Sequence, residues 1–307
     1  MATETKEDGS DADRFNPSAP ATLIRGSDAP TLVPHHPAAF VRATFLVVYR
    51  ISSGGYNKLK PTFITKENCL NNFLVRFKEF VADGRDRPYL VVIADACTPE
   101  LLRFVKSACD TALGVARADG TPLYEIHETA CGNGAGSFNV ALNLLTHASA
   151  DTLVYNVEDD YLHKRGALKL LGEGVGLFPY VTLYDHPDKY IDKGHTQNEC
   201  VGNPFIEGGG EATKVLLSGT SHWKVTNSST MTFAARVRTL REDMSYIRHY
   251  TSETFPSDFL MFLSLAAECK HAVVSPLPGA STHGETATLC PLTDWAAEEA
   301  STHARFA

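Results

Sequence analysis

The stretch Leu153-Val154-Tyr155-Asn156-Val157-Glu158-Asp159-Asp160-Tyr161 decides how this chain is read. An apolar, β-branched run of the kind that forms a buried strand ends in three consecutive carboxylates, which no hydrophobic core accepts without a cation or strong donors. In an extended segment alternate side chains share a side, so Glu158 and Asp160 are expected to point together into a cleft while Asp159 turns away. Hard divalent cations prefer carboxylate oxygen and accept substrate phosphates as co-ligands, so Mg2+ or Mn2+ held over a diphosphate fits this cluster. An acidic surface turn is the alternative reading of the same residues.

Working outward, 307 residues with 43% hydrophobic content allow a substantial core in one large α/β domain or two smaller ones. A net charge of −8 argues against a nucleic-acid partner bound through a basic surface. The seven cysteines, Cys69, Cys97, Cys109, Cys131, Cys200, Cys269 and Cys290, include no Cys-x-x-Cys pair and read as reduced core residues of a cytoplasmic protein. Residues 1–40 have no basic segment followed by an apolar one, and no later run reaches membrane-spanning length. The chain therefore reads as 1–39 flexible tail, rich in Pro, Ala, Ser and charge, a 40–290 catalytic domain and a 291–307 C-terminal tail.

From Phe40 onward apolar strands alternate with helical stretches. Strands are expected at Ala43–Tyr49, Tyr89–Ala94, Leu123–His127 and Leu153–Val157, and helices at Lys66–Ala82, Pro99–Ala116 and Ser137–Ala148. This order predicts an α/β fold with a central mixed, mostly parallel sheet flanked by helices. Ligands of such sheets bind beyond the carboxyl ends of the strands. Arg50, Ser52, Asp95, Asn133 to Ser137, and Glu158 to Asp160 all fall there. The second half predicts a helix over Arg165–Gly172, a strand at Tyr180–Tyr184 and a Gly-rich excursion at Gly202–Gly210. Hairpin strands follow at Thr213–Ser218 and Ser229–Ala235 around Trp223, then a helix over Ser257–Cys269, a strand at His271–Pro276 and a loop at Gly279–Glu285.

Several residues carry two readings each. The run Gly132-Asn133-Gly134-Ala135-Gly136-Ser137 opens a helix and lets backbone amides approach a nucleotide, or is only a flexible turn; Ser137 in place of a final glycine excludes a dinucleotide fingerprint. No Gly-x-x-x-x-Gly-Lys-Ser/Thr phosphate loop occurs. Asp95 either accepts hydrogen bonds from a base or ribose, or caps the following segment. Arg50 lies against a base or phosphate, or pairs with an acid. Asp258 at a helix start serves the helix dipole, or acts as a general base. His283 completes a metal shell, or is a solvated loop histidine.

Together these residues resemble the nucleotide-sugar-dependent glycosyltransferases of the GT-A fold, over about residues 40–290. In that family the fourth strand ends in Asp-x-Asp, which Glu158-Asp159-Asp160 resembles as a Glu-Asp-Asp variant. The resemblance implies that Asp160 binds the metal with His283, Glu158 reaching the ribose or a metal-bound water. It implies that Arg50, Ile51, Asp95, Asn133, Gly134, Ser137, Glu158 and Asp159 line the donor site, with Asn139 close by, and that Asp258 is the base. Trp223, Tyr184, Asp185 and His186 would border an acceptor site near the small β-hairpin.

The resulting expectation is a glycosyltransferase, hexosyl or pentosyl, dependent on Mn2+ or Mg2+. It would move a sugar from a nucleoside diphosphate sugar, UDP-sugar favoured, to a carbohydrate or other hydroxyl acceptor with inversion. Two alternatives stand beside it. A sugar-phosphate nucleotidyltransferase would use the loop Ile51-Ser52-Ser53-Gly54-Gly55-Tyr56-Asn57-Lys58, and a non-catalytic nucleotide-sugar-binding protein would keep binding without turnover.

Overall fold

Near-continuous apolar runs make the centre of the sheet, because strands covered on both faces have no solvated side. The computed structural model describes residues 24–55, 59–84, 87–114 and 116–303. A short helix α1 (Pro37–Arg42) leads into β1 (Phe45–Ser52), α2 (Lys66–Ala82), β2 (Pro88–Asp95), α3 (Pro99–Leu113), β3 (Tyr124–Thr129), α4 (Gly134–Leu145) and β4 (Leu153–Glu158). Thr65 and Thr98 start α2 and α3 by accepting from the amides of Asn68 and Leu101. Helix α4 begins at Gly134, earlier than the expected Ser137, because Asn133 caps it through the Gly136 amide at 2.7 Å. Gly136 cannot be replaced cheaply: a Cβ there would stand 2.7 Å from the Cys131 Cβ.

The second half contributes β5 (Tyr161–His163), α5 (Ala167–Gly174), β6 (Tyr180–Val181), the small pair β7 (Thr196–Gln197) and β8 (Cys200–Val201), β9 (Val215–Leu217), β10 (His222–Thr226) and β11 (Phe233–Arg236). Then come α6 (Val237–Glu242), α7 (Met244–Tyr250), α8 (Asp258–Ser264), β12 (Val273–Leu277), β13 (Ser281–His283) and α9 (Trp295–His303). Helix α8 continues through a π-helical turn at Leu265–Cys269.

Nine strands form one sheet in the order β3-β2-β1-β4-β11-β6-β12-β10-β9. Strands β3, β2, β1 and β4 are parallel, β11 runs against β4 and β6, and β6 and β12 are parallel. The fold is thus the mixed, mostly parallel α/β sheet expected. Register sets the carboxyl edge: Arg50 lies opposite Glu158, Ser52 opposite Asp95, and Asp95 opposite Thr129. One face carries a core built with α2, α3, α5 and Trp295 of α9, around Tyr49, Phe73, Phe77 and Val92. The other carries α1, α4 and α6 to α8 around Phe40, Val48, Phe138, Phe233 and Phe262.

Several expectations are corrected. The hairpin pairs β9 with β10, which contains Trp223, whereas the 229–235 segment supplies β11 elsewhere in the sheet. Thr230 and Met231 have positive φ, so no strand passes through them. Helices α6 and α7 lie where no helix was expected. The Gly279–Glu285 segment contains a strand, β13, paired antiparallel with β5.

Neither expected tail is loose throughout its described part. Within 24–39, the Ile24 amide bonds Cys131 O at 3.2 Å and the Gly26 amide bonds Glu253 O at 2.8 Å. At the other end, α9 lies against α2, with Trp295 buried and Arg76 paired to Glu298 at 3.0 Å. In both places a buried aromatic or a backbone ladder offsets the ordering entropy that composition alone suggests would not be recovered.

Candidate active site

The acidic strand end does not behave as a continued strand. β4 stops at Glu158 and residues 159–160 form a turn, so side-chain alternation ends there. Each carboxylate takes a different cation, while Glu158 still feels the charges of Asp160 and His283. Glu158 Oε1 takes Arg50 Nη2 at 2.8 Å. Asp159 Oδ2 takes the Ser52 amide at 2.9 Å and Lys66 Nζ at 2.6 Å. Asp160 Oδ2 takes Lys60 Nζ at 2.9 Å and lies 3.3 Å from His283 Nε2.

Arg50 is only 4% exposed and is locked in place. Besides Glu158 it donates to Gly134 O at 3.1 Å and Ser137 Oγ at 3.2 Å, and its guanidinium sits 5.4 Å from the centre of the Phe138 ring. It therefore ties β1 to β4 and to the first turn of α4, and takes the pairing reading. Burial pushes the Glu158 carboxyl up, against the pull of Arg50. Ile51 is a core side chain. Asp95 accepts from Thr129 Oγ1 at 2.9 Å, the Cys131 amide at 2.6 Å and the Gly132 amide at 2.9 Å, so it organises the loop after β3 and offers little to a ribose. Asn133 is likewise engaged with Ile24 O, Cys131 O and the Gly136 amide, and Asn139 bonds Thr251.

His283 reaches Asp160 because β13 pairs with β5, placing His283 opposite Tyr161. Burial disfavours both charges, yet their mutual attraction, with Lys60, holds the Asp160 carboxyl well below its usual range and raises His283. His283 Nδ1 stands 3.5 Å from Glu285 Oε1. Two adjacent ligands at about 2.1 Å from one hard cation are about 3 Å apart, so Asp160 and His283 are spaced to share a divalent ion once Lys60 yields its place. Carboxylate and imidazole donors together fit such an ion.

A second polar group adjoins this pair. Asp258, the first residue of α8, accepts on Oδ2 from the amides of Ser229 at 2.8 Å and Thr230 at 2.6 Å and from Ser228 Oγ at 3.1 Å. It thereby holds the positive-φ turn before β11. Tyr161 donates to Ser229 O at 3.1 Å and packs on the His283 ring at 5.4 Å, which links the two groups. His186 Nε2 lies 3.0 Å from Thr230 Oγ1, and its ring centre lies 4.0 Å from that of Tyr184, tilted by 50°. Burial, reinforced by Lys189 and His283, keeps His186 neutral by pushing its pKa well down.

Of the four expected acceptor residues, only His186 keeps some exposure. Trp223 is fully buried, and its indole donates to Ser218 Oγ at 2.9 Å. Tyr184 is buried with its hydroxyl on Thr288 O, and Asp185 is buried against Lys224 at 2.8 Å. These three are interior residues: Tyr184 and Trp223 donate hydrogen bonds inside the protein and Asp185 is held in an ion pair. Lys60, Lys66, Ser228, Thr230 and Tyr161 join the site without having been expected there. Lys60 in the loop after the first strand and Lys66 at the start of α2 were the available signal, since the segment after that strand must cross the carboxyl edge. Residues 56–58 of the loop invoked for nucleotidyl transfer lie outside the described residues.

Neither a protein-family model nor a curated protein sequence matches the chain. Among solved structures it is similar to the galactosyltransferase LgtC in complex with donor and acceptor sugar analogues, at 9% identity over 71% of this chain and 69% of that one, TM-score 0.36. It is also similar to the mannosyltransferase PcManGT from Pyrobaculum calidifontis in complex with GDP-Man and Mn2+, at 15% identity over 82% and 59% of the chains, TM-score 0.41. A mannose-6-phosphate isomerase from Helicobacter pylori matches at 9% identity over 76% and 86%, TM-score 0.36. No residue of this chain takes its role from these proteins.

Proposed function

We propose that the protein is a GT-A-like glycosyltransferase that moves a sugar from a nucleoside diphosphate sugar, UDP-sugar favoured, to an acceptor hydroxyl. One observation carries the reading: Asp160 and His283, 3.3 Å apart, and an anchored carboxylate, Asp258, lie toward the carboxyl edge of the sheet's parallel strands. Asp160 and His283 would hold Mn2+ or Mg2+, which when bound supplies positive charge for the departing diphosphate. Lys60 and Lys66 stand beside them to meet phosphate oxygens as well.

Asp258 has its protein hydrogen bonds on Oδ2, among the described residues, and these fix the carboxylate and would leave Oδ1 for the acceptor. Oδ1 takes the acceptor proton as the acceptor oxygen bonds to the anomeric carbon, and the bond from that carbon to the diphosphate breaks with its electron pair on the leaving oxygen. Attack opposite the leaving group inverts the anomeric centre. Tyr161 and Thr230 keep the base and the ion-binding pair at a fixed separation, which is the orientation an in-line displacement requires.

The test is to supply UDP-, GDP- and other nucleoside diphosphate sugars with Mn2+ and measure release of nucleoside diphosphate, with and without simple sugar acceptors. Release from one donor, stimulated by an acceptor, is the expected result. Pyrophosphate release from a nucleoside triphosphate and a sugar phosphate would replace the reading with nucleotidyl transfer, and nucleotide binding without any release would replace it with a binding protein.

A further inference from the structure

We propose that His35, Glu125 and His127 form a separate binding site for a borderline divalent cation, Zn2+ in particular, away from the donor edge of the sheet. Their ligand atoms all lie within 4.8 Å of one another, the one such group of three His, Cys, Asp or Glu side chains among the described residues. Glu125 and His127 are two apart on β3, so they share one face of this edge strand, and the segment preceding α1 brings His35 over them. The two imidazole rings stand 4.0 Å apart and tilted by 32°, and His127 Nε2 lies 2.9 Å from Glu125 Oε1.

The carboxylate is built to hold one oxygen forward. Glu125 Oε2 accepts from Tyr89 Oη at 3.0 Å and from the His36 amide at 3.1 Å, which leaves Oε1 toward His127. Outer hydrogen bonds of this type orient ligands at metal sites. Two imidazoles and one carboxylate suit Zn2+ better than Mg2+ or Mn2+. A groove of about 390 Å3, lined by His35, His36, Leu113, Leu123, Tyr124 and Glu125 among others, opens beside two of the three ligands and gives room for a water or small anion as a fourth.

Glu125 faces the core side that holds Tyr89 and lies opposite Val91, whereas Asp95 at the carboxyl edge lies opposite Thr129, so this cluster and the Glu158–Asp160 turn occupy different parts of the sheet. A bare His127–Glu125 pair would satisfy the buried imidazole alone. It would not require an exposed histidine to stack its ring against it.

The experiment uses the full chain carrying Asp160→Asn and His283→Ala, so that the donor-edge pair does not contribute. Metal-free protein is titrated with Zn2+ against a chromophoric zinc indicator, and with Co2+ while visible absorption is recorded. One equivalent of Zn2+ and a tetrahedral Co2+ spectrum are expected. His35→Ala, at an exposed position, should weaken Zn2+ binding at least tenfold. Tyr89→Phe, which removes only the orienting hydroxyl, should weaken it about 10- to 100-fold. Failure to bind an equivalent of Zn2+, or unchanged affinity in both His35→Ala and Tyr89→Phe, overturns the proposal in favour of a hydrogen-bonded His–Glu pair.

Discussion

Asp160 and His283 stand 3.3 Å apart because the three-residue strands β5 and β13 pair, which fastens the 281–283 segment to the turn after β4. The proposed two-residue ion site thus draws its halves from opposite ends of the second half of the sequence. Removing metal with a chelator is expected to abolish donor turnover, and Mn2+ should restore it. His283→Ala should weaken Mn2+-dependent nucleotide binding at least tenfold, read by the metal-dependent shift in melting temperature. Equal nucleotide-induced shifts with and without Mn2+ in the wild type would remove the ion from the reaction.

Gly284 follows His283 directly, and a Cβ there would stand 2.7 Å from Ile64 Cγ2 and 2.9 Å from Asp160 O. Gly284→Ala must push the Asp160 turn away from His283 although neither ligand is altered. The expected outcome is a folded protein with a raised apparent Kd for Mn2+, measured by the paramagnetic signal of free Mn2+. Wild-type affinity in this variant would mean that the turn gives way without moving the ligands.

Asp258→Asn keeps an oxygen to accept from the Ser229 and Thr230 amides but cannot take a proton. Transfer should fall by about 10²- to 10⁴-fold, while nucleotide binding and melting temperature stay close to wild type. A fall in melting temperature together with activity would assign Asp258 to the turn alone.

Arg50 and Glu158 form a largely buried pair at 2.8 Å. Arg50→Met would leave Glu158 without its cation and remove one of the donors to the Gly134 carbonyl, at a cost of about 3 kcal/mol. Urea denaturation at neutral pH measures this. Glu158→Gln should cost less, because the guanidinium retains Gly134 O and Ser137 Oγ.

His163 is fully buried, and its pKa is pushed down to about 3 by burial, with Arg76 adding to the effect. A base whose folded pKa lies below its unfolded value of about 6.5 leaves the unfolded chain binding the extra proton. Its contribution is therefore present above pH 6.5 and is lost as pH falls toward 3, amounting to roughly 5 kcal/mol at the acid end. His283 has the opposite sign: its raised pKa stabilises the fold below about pH 6.5 and that help is lost as pH rises through the folded value. His163→Gln should flatten the acid limb of the stability curve, and His283→Ala should remove the loss on the alkaline side. Both are read as melting temperature against pH.

The strands β1 to β4 and helix α2 are legible from local pattern, because apolar runs bounded by caps and turns are properties of neighbouring residues. Helix Lys66–Ala82 agrees in both its ends, since Thr65 caps it within its own first turn. The short elements α6, α7, β10 and β13 were not legible. Each has too few residues to show a period and forms because a neighbour in space completes it, as β12 does for Trp223 on β10.

Local chemistry in the sequence determined that a buried strand ends in Glu158, Asp159 and Asp160 at the carboxyl edge of a parallel sheet, because apolar runs and abrupt charge are readable without knowing any partner. Tertiary structure alone decided where those carboxylates point. The turn at 159–160 ends the alternation, Arg50, Lys66 and Lys60 each claim one acid, and the β5–β13 pairing delivers His283 to Asp160. It also decided that Tyr184, Asp185 and Trp223 are interior residues, since burial depends on what the rest of the chain packs against them, which no local window contains.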